Sequence, residues 1–484
     1  MERRHKVIVL IFFLFTVAVS TLMHLEHFPK DLVSIHVWRQ TQTQSNIDNF
    51  YEEDMNILNP RRNDRGDGDG IFRMEFPLMQ WSVALLYHIF GQSILVTRLF
   101  VFFCGIMAMA GIYLFLKNLL NDRVSALAGA WAMTFSPSFY YHSINPMPDV
   151  MALALGIWGL AMFARYTRSP RRSDLLLSSF LLALATLVKL PFVLFYAFPV
   201  GWFMFVNRNS EPALRRLKTV VVYCLLLIFP LAWYSWVIPG WNGNPVVKGI
   251  LQDSEANRRW LEYMINLLVS TFPELILNYG SLLFFFSGFY FLYRKKPWRS
   301  RYIKPLFLMA VALAAYGIYE GSLFGKIHDY YLFLYFPLLF LTVGFGAGKL
   351  FRSGRTAKII ALILLAILPV TCWLRMEVRW DTDSPGFNRD LLVFKEELRN
   401  AVPSTDLVVA GNDVSHYIFF YYIDKKGWAF EQDWITPEQL KEMINKGARW
   451  LYTDSDRVKS GKEFQSIIGE PVKQFGSVSI YKLQ

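Results

Sequence analysis

Long apolar runs recur along most of the chain, and they limit its fold more than any motif does. VIVLIFFLFTVAVSTLM, ILVTRLFVFFCGIMAMAGIYLFL, VMALALGIWGLAMFA, YLFLYFPLLFLTVGFGAG and IIALILLAILPVTCWL approach the roughly 20 residues that a helix needs to cross a bilayer. One such run fits inside a soluble core; this many, in a chain of 484 residues, do not. Charged residues make up 18% of the chain, below the roughly 25% of an ordinary soluble domain. The runs therefore predict an all-α polytopic membrane protein.

The formal net charge of +12 argues the same way once its placement is considered. A basic soluble protein points to nucleic acid. Here the cations gather in short links between apolar runs, such as Arg165 to Arg172, Arg208 to Lys218, Arg294 to Lys304 and Lys349 to Lys358. That is the pattern of cytoplasmic loops, so no nucleic-acid partner is expected. The start, MERRHK followed by an apolar run, has the outline of a secretory signal, but no A-x-A cleavage site follows. It reads as an uncleaved first helix with a cytoplasmic N-terminus. Threading the runs in order gives about eleven transmembrane helices of sufficient length, and each return meets a basic cluster.

Two regions interrupt the apolar pattern. Residues 26–95 form a first outer loop, in which 77–91 suit a helix lying in the membrane interface. Residues 376–484 have ordinary polarity and mix strand-like and helical stretches, which predicts a small extracytoplasmic α/β domain after a membrane domain of residues 1–375. On this threading the acidic loop, Asp149, Lys189 and the stretch from Lys326 to Asp329 all map to outer helix ends. Ionisable groups there tend to line functional cavities.

The outer loop contains NDRGDGDGIFRMEFP, residues 63–77. An EF-hand reading fails, because taking Gly70 as the turn glycine puts Arg65 at the first ligand position and Phe76 at the last. Cys104, Cys224 and Cys372 sit far apart in apolar runs and show no metal spacing. Cofactor use is left open, with a divalent cation as the candidate. Asp64, Glu75 and Asp149 are the candidate catalytic carboxylates, since a poorly acidic hydroxyl needs a placed base. Asp67 and Asp69 read as solvated. The glycines predict a loop that closes over the site. Arg39, Arg73, Lys189 and Lys326 are candidate cations for a phosphate, and Gln40, His328 and Tyr330 are candidate hydrogen-bonding groups for substrate. Each has a plainer reading: Asp149 as a helix-start residue that satisfies backbone N–H groups, Lys326 as an interface anchor, and Arg39 and Gln40 as part of a surface helix.

These pieces together resemble a known family. A first helix is followed by a large outer loop, then E-F-P-L (Glu75 to Leu78), P-D (Pro148, Asp149), K-L-P (Lys189 to Pro191) and K-x-H-D-Y-Y (Lys326 to Tyr331). That order resembles the polyprenyl-phosphate-dependent glycosyltransferases of the C-type membrane fold, the group of protein O-mannosyltransferase-like enzymes and lipid A aminoarabinose transferases. The similarity spans about residues 1–375. Many members have an Asp-Glu pair early in the outer loop; here that place reads Trp38-Arg39-Gln40, as in a W-R-Q subgroup, so the base stays open between Asp64 and Glu75. The resemblance implies a bacterial inner-membrane enzyme that moves one sugar, with inversion, from a polyprenyl-monophosphate donor to a glycan, lipid or protein acceptor among the membrane lipids. Two rivals share parts of the pattern. A polysaccharide polymerase or ligase differs in using a lipid diphosphate; a transporter places its site at midplane, with internal repeats, and no repeat is seen here.

Overall fold

The computed structural model describes residues 2–206, 212–241, 254–294, 300–324, 328–431 and 434–483. Arg208, Lys295, Lys296, Arg299 and the candidate Lys326 lie outside the described residues. Among those described, six helical stretches are long and apolar enough to cross a membrane: Lys6–His24, Ile94–Leu120, Asp149–Tyr166, Ala213–Gly240, Asp329–Leu350 and Arg355–Trp380. Shorter apolar helices are Leu78–Phe90, Leu190–Val206, Leu282–Arg294 and Ile303–Tyr319. The apolar stretch over 124–141 is broken into Arg123–Thr134 and Pro137–His142. Pro137 has no N–H with which to continue the first helix, and it is well placed at the first position of the second.

The chain divides into two compact units. The first holds Met1–Phe28, Met74–Phe76 and Arg98–Glu377; the second holds Pro29–Arg73, Pro77–Thr97 and Val378–Gln484. The division after Glu377 falls beside the boundary expected near 376, and most of the loop expected over 26–95 is grouped with the tail.

In the first unit, Asp149–Tyr166 packs along Arg172–Val188. Ser178 Oγ donates to the Gly159 carbonyl at 2.7 Å, and Arg165 Nε donates to Asp174 Oδ2 at 2.8 Å across the basic link between the two helices. Phe336–Leu350 packs against both Arg123–Thr134 and Leu282–Arg294. Its GFGAG stretch sets how closely. A Cβ on Gly344 would overlap the Ser125 carbonyl, and one on Gly346 would overlap the Phe284 carbonyl. Lipid tails are as apolar as leucine, so helices in a membrane gain from close van der Waals contact, and small residues permit it.

The second unit is built on a five-stranded sheet. Its strands are β1 (Leu407–Gly411), β2 (Lys426–Ala429), β3 (Trp450–Thr453), β4 (Lys473–Phe475) and β5 (Val478–Lys482), in the order β2-β1-β3-β5-β4. β1 runs parallel to β2 and β3, and β5 runs antiparallel to β3 and β4. Alternation along the strands feeds two cores. Val408, Ala410, Tyr452 and Ile480 pack with Leu398, Phe419 and Tyr422, while Val409, Leu451 and Tyr481 pack with Leu440, Phe464 and Ile467. Leu32 and Val37 join the first of these cores from the early loop.

The acidic loop is part of this unit's sheet region. Arg62 N–H bonds to Gly70 O at 2.9 Å to close a hairpin, and Gly66 and Gly70 take the positive φ values, 60° and 73°, that its turns need. Beyond β2, Gly427 N–H bonds to Asn63 O at 3.1 Å and Arg65 N–H to Gly427 O at 2.9 Å. These bonds occupy the otherwise unpaired edge of β2. The glycines therefore serve a turn that docks on a sheet edge, where the sequence suggested a closing loop; glycine enrichment alone does not distinguish the two. Asp67 and Asp69 are exposed, as expected.

Gly344→Ala is expected to cost about 1–3 kcal/mol through overpacking and to lower the Tm of the detergent-purified protein. Gly240→Ala is the control: its added methyl would meet nothing within 4 Å among the described residues, and its Tm should match wild type.

Candidate active site

Three stretches of the first unit, distant in sequence, converge on one ammonium group. Met74–Phe76 is clamped onto the helix Ile228–Val237. Trp233 Nε1 donates to Met74 O at 3.0 Å, and the rings of Phe76 and Trp233 meet edge-on with centroids 5.0 Å apart. Glu75 is held between these two anchors. Lys189 follows the helix Arg172–Val188 in an extended conformation, with φ −150° and ψ 108°. Two residues on, Pro191 lacks the N–H that an α-helix would need and instead opens the 3-10 turn Leu190–Tyr196. The K-L-P motif thus ends one helix with a lysine. Asp149 is the first residue of Asp149–Tyr166, after an N-cap proline that has no side-chain cap to offer.

Lys189 Nζ lies 2.9 Å from Glu75 Oε1 and 3.2 Å from Asp149 Oδ1. Lys189 and Asp149 are buried, at 8% and 3% exposed, and Glu75 is partly buried at 15%. The rings of Tyr330 and Tyr331 stand 5.6 and 5.5 Å from the ammonium, within cation–π range. Asp149 gains further from its place at a helix N-terminus, where the backbone dipoles favour an anion. Its Oδ2 has no hydrogen-bond partner among the described residues.

The tyrosines are carried by the 3-10 turn Asp329–Tyr335. Asp329 Oδ1 bonds to His142 Nε2 at 2.7 Å, with both side chains fully buried. His328 Nδ1 lies 3.3 Å from the Tyr330 hydroxyl. Burial lowers the His328 pKa, and the Lys189 charge adds to this against the opposing effect of Asp329; the imidazole is thus neutral at pH 7 and acts as a hydrogen-bonding group. A cavity of about 310 Å³ opens beside these residues, lined by Glu75 and Lys189 on one side and by Tyr234, Trp241, Tyr316 and Tyr331 among its aromatic walls.

Of the residues expected from sequence, Glu75, Asp149, Lys189 and Tyr330 thus gather at one place. Asp329, His142 and Tyr331 complete it and were not picked as site residues. The only hint was the K-x-H-D-Y-Y motif, and nothing local marks His142 as the partner of Asp329. His328 joins this group through Tyr330, and Lys326 lies outside the described residues; Arg39, Gln40, Arg73 and Asp64 belong to the second unit. Arg39 donates to Gln42 Oε1, and Gln40 Nε2 donates to Ile35 O at 2.9 Å. Arg73 Nε donates to Leu58 O at 2.8 Å and its Nη2 to Asn59 Oδ1 at 3.0 Å. Asp64 accepts from His416 Nδ1 and from the Ala429 N–H, both at 3.0 Å.

Comparison with known proteins bears on the fold. Residues 75–236 match the family model described as dolichyl-phosphate-mannose-protein mannosyltransferase. The matched segment begins at Glu75 and includes Asp149 and Lys189. No curated protein matches the chain in sequence. Among solved structures, ArnT from Cupriavidus metallidurans in the apo state superposes with a TM-score of 0.65 at 12% identity, over 99% of this chain and 98% of that one. The same protein bound to undecaprenyl phosphate gives 0.64 at 12% identity, over 98% and 97%. The apo oligosaccharyltransferase of Archaeoglobus fulgidus gives 0.61 at 12% identity, over 92% of this chain and 69% of that one. The chain has the fold of these membrane glycosyltransferases. It is mostly helical and polytopic, with a small C-terminal sheet, as the apolar runs and the strand-like tail predict.

Two outcomes follow from the charges. Lys189→Met leaves two buried carboxylates without their cation, a loss on the order of 3–5 kcal/mol; the Tm should fall and recover in part in Lys189→Met/Glu75→Gln. In the second unit, the hydrogen bond to Asp64 raises the His416 pKa above 6.5, against an opposing effect of burial. The stabilisation from this pair is then complete below pH 6.5 and fades as pH rises through the folded-state pKa. Hydrogen-exchange protection of peptides spanning β1 and β2, corrected for the intrinsic pH dependence of amide exchange, should rise from pH 8.5 to 6.5, and Asp64→Asn should flatten that rise.

Proposed function

We propose that this protein is a membrane glycosyltransferase that moves a single sugar from a polyprenyl monophosphate to an acceptor hydroxyl or amine on the outer face of a bacterial cytoplasmic membrane. The observation that carries the reading is the buried Lys189, shared by Glu75 and Asp149 on an aromatic cavity, within the segment that matches the mannosyltransferase model. The lipid-borne donor is supported by the bound undecaprenyl phosphate of ArnT and by the dolichol-phosphate complex of the Archaeoglobus fulgidus enzyme AglB. The latter also contains an inhibitory peptide.

The chemistry assigned to the residues is as follows. The acceptor oxygen or nitrogen bonds to the anomeric carbon as the bond from that carbon to the phosphate oxygen breaks. The lipid phosphate leaves with the electron pair, and Lys189 offsets the charge that develops on it. Glu75 lines the cavity and takes the acceptor's proton. Asp149 does not line it; it holds the ammonium in place from the helix start. Glu75, Asp149 and Lys189 together carry one net negative charge, so a phosphate that draws on Lys189 loosens the ammonium's hold on Glu75 and frees that carboxylate to act as base. Tyr330 and Tyr331 confine the ammonium.

The test is turnover by purified protein in lipid vesicles supplied with polyprenyl-monophosphate sugars. Glu75→Gln keeps the side chain's shape but removes its basicity, and should lower turnover by about 10²–10⁴-fold while donor binding persists. Full turnover by this variant would move the base elsewhere, and turnover with lipid-diphosphate sugars alone would favour a polymerase or ligase. In intact cells, a membrane-impermeant label should reach cysteines placed in 60–75 and beyond 376, and should spare those at 165–172.

A further inference from the structure

One acid in the cavity has no part in the transfer chemistry above. Glu320 lines the cavity with Tyr316, Tyr319 and Tyr331. It is 3% exposed, and its Oε2 has no hydrogen-bond partner among the described residues. Its backbone N–H bonds to Tyr316 O at 2.8 Å, which closes the helix Ile303–Tyr319. The carboxyl therefore stands at a helix C-terminus, where the backbone dipoles disfavour negative charge. Lys189 is the one cation lining the cavity among the described residues, and it is already shared by Glu75 and Asp149. Among the described residues this carboxyl has neither cation nor donor, and burial favours its protonated form because ionising it there is costly. In that form Glu320 has one O–H to give and one carbonyl oxygen to receive.

We propose that Glu320 reads the sugar of the lipid donor, pairing its carboxylic acid with a ring hydroxyl. This rests on the glycosyltransferase reading of the same cavity. A hydroxyl both donates and accepts, so it satisfies both oxygens of a protonated carboxyl at once. The anionic phosphate belongs with Lys189. The aromatic side chains beside Glu320 offer flat apolar faces to the C–H faces of a sugar ring, the arrangement of an apolar pocket with few placed polar groups. Glu320 is thus a specificity-determining residue for the sugar.

Binding to the full chain in nanodiscs tests this with two probes: undecaprenyl phosphate alone, and undecaprenyl phosphates carrying single hexoses or pentoses. The sugar-loaded lipid that wild type binds most tightly is carried forward. Glu320→Gln keeps a donor and an acceptor but cannot ionise, and it should bind that lipid within about twofold of wild type. Glu320→Leu has neither group and should bind it about tenfold more weakly, the loss of one hydrogen bond, with affinity for undecaprenyl phosphate unchanged. The proposal is overturned if Gln is as damaging as Leu, if Leu weakens both lipids equally, or if Leu changes nothing. A wild-type protein that binds neither lipid would instead overturn the donor reading, and the role of Glu320 with it.

Discussion

The buried ammonium of Lys189 is the interaction on which the rest of the first unit's site depends. A desolvated cation is tolerable only with anionic partners at contact distance, and Lys189 has Glu75 and Asp149 at 2.9 and 3.2 Å. Each carboxylate is in turn fixed by its own segment. Glu75 is held by the clamp of Met74 and Phe76 on Trp233. Asp149 is held by its place at a helix start. The lysine itself is presented because Pro191 does not allow the preceding helix to continue past it. Backbone breaks in a membrane protein are tolerated where they line a cavity or are buried in protein, and all three of these residues stand at such breaks.

The aromatic surroundings extend this arrangement. Tyr330 and Tyr331 face the ammonium from a 3-10 turn anchored by the buried Asp329–His142 pair. An apolar wall lowers the local dielectric and so strengthens every charge interaction nearby. The same desolvation favours the protonated form of Glu320, which has no cation partner among the described residues.

The second unit follows a different logic. Its sheet carries an apolar core on each face, and it takes in a piece of chain from far earlier in the sequence. The loop at 63–66 hydrogen-bonds at Gly427, and Asp64 bonds to His416 and the Ala429 N–H. The helix Val37–Glu52 is polar in composition yet largely buried, with Gln44 Nε2 2.8 Å from the Tyr87 hydroxyl. Buried polar side chains must find such partners, which restricts how the loop can pack.

Much of this was legible in the residues. Long apolar runs and the cations between them are local properties, and they specified a polytopic helical body. The strand-like runs LVVAGN and VSIYKL marked two strands of the tail. Glu75, Asp149, Lys189 and Tyr330 stood out because a polar group beside an apolar run is conspicuous. Pairing was not legible. Asp64 and Glu75 looked equivalent in one short loop, yet Glu75 meets Lys189 and Asp64 meets His416, 352 residues away in sequence. The loop's glycines fitted a closing lid as well as a docked hairpin until the partners at Gly427 were seen. Composition and periodicity depend on neighbours along the chain, so the sequence by itself determined which segments are membrane-like and where polar groups interrupt them. Contact between charges depends on how those segments pack, and burial decides whether a carboxyl is charged, so only the tertiary structure decided which groups share Lys189 and which acid is left without a cation.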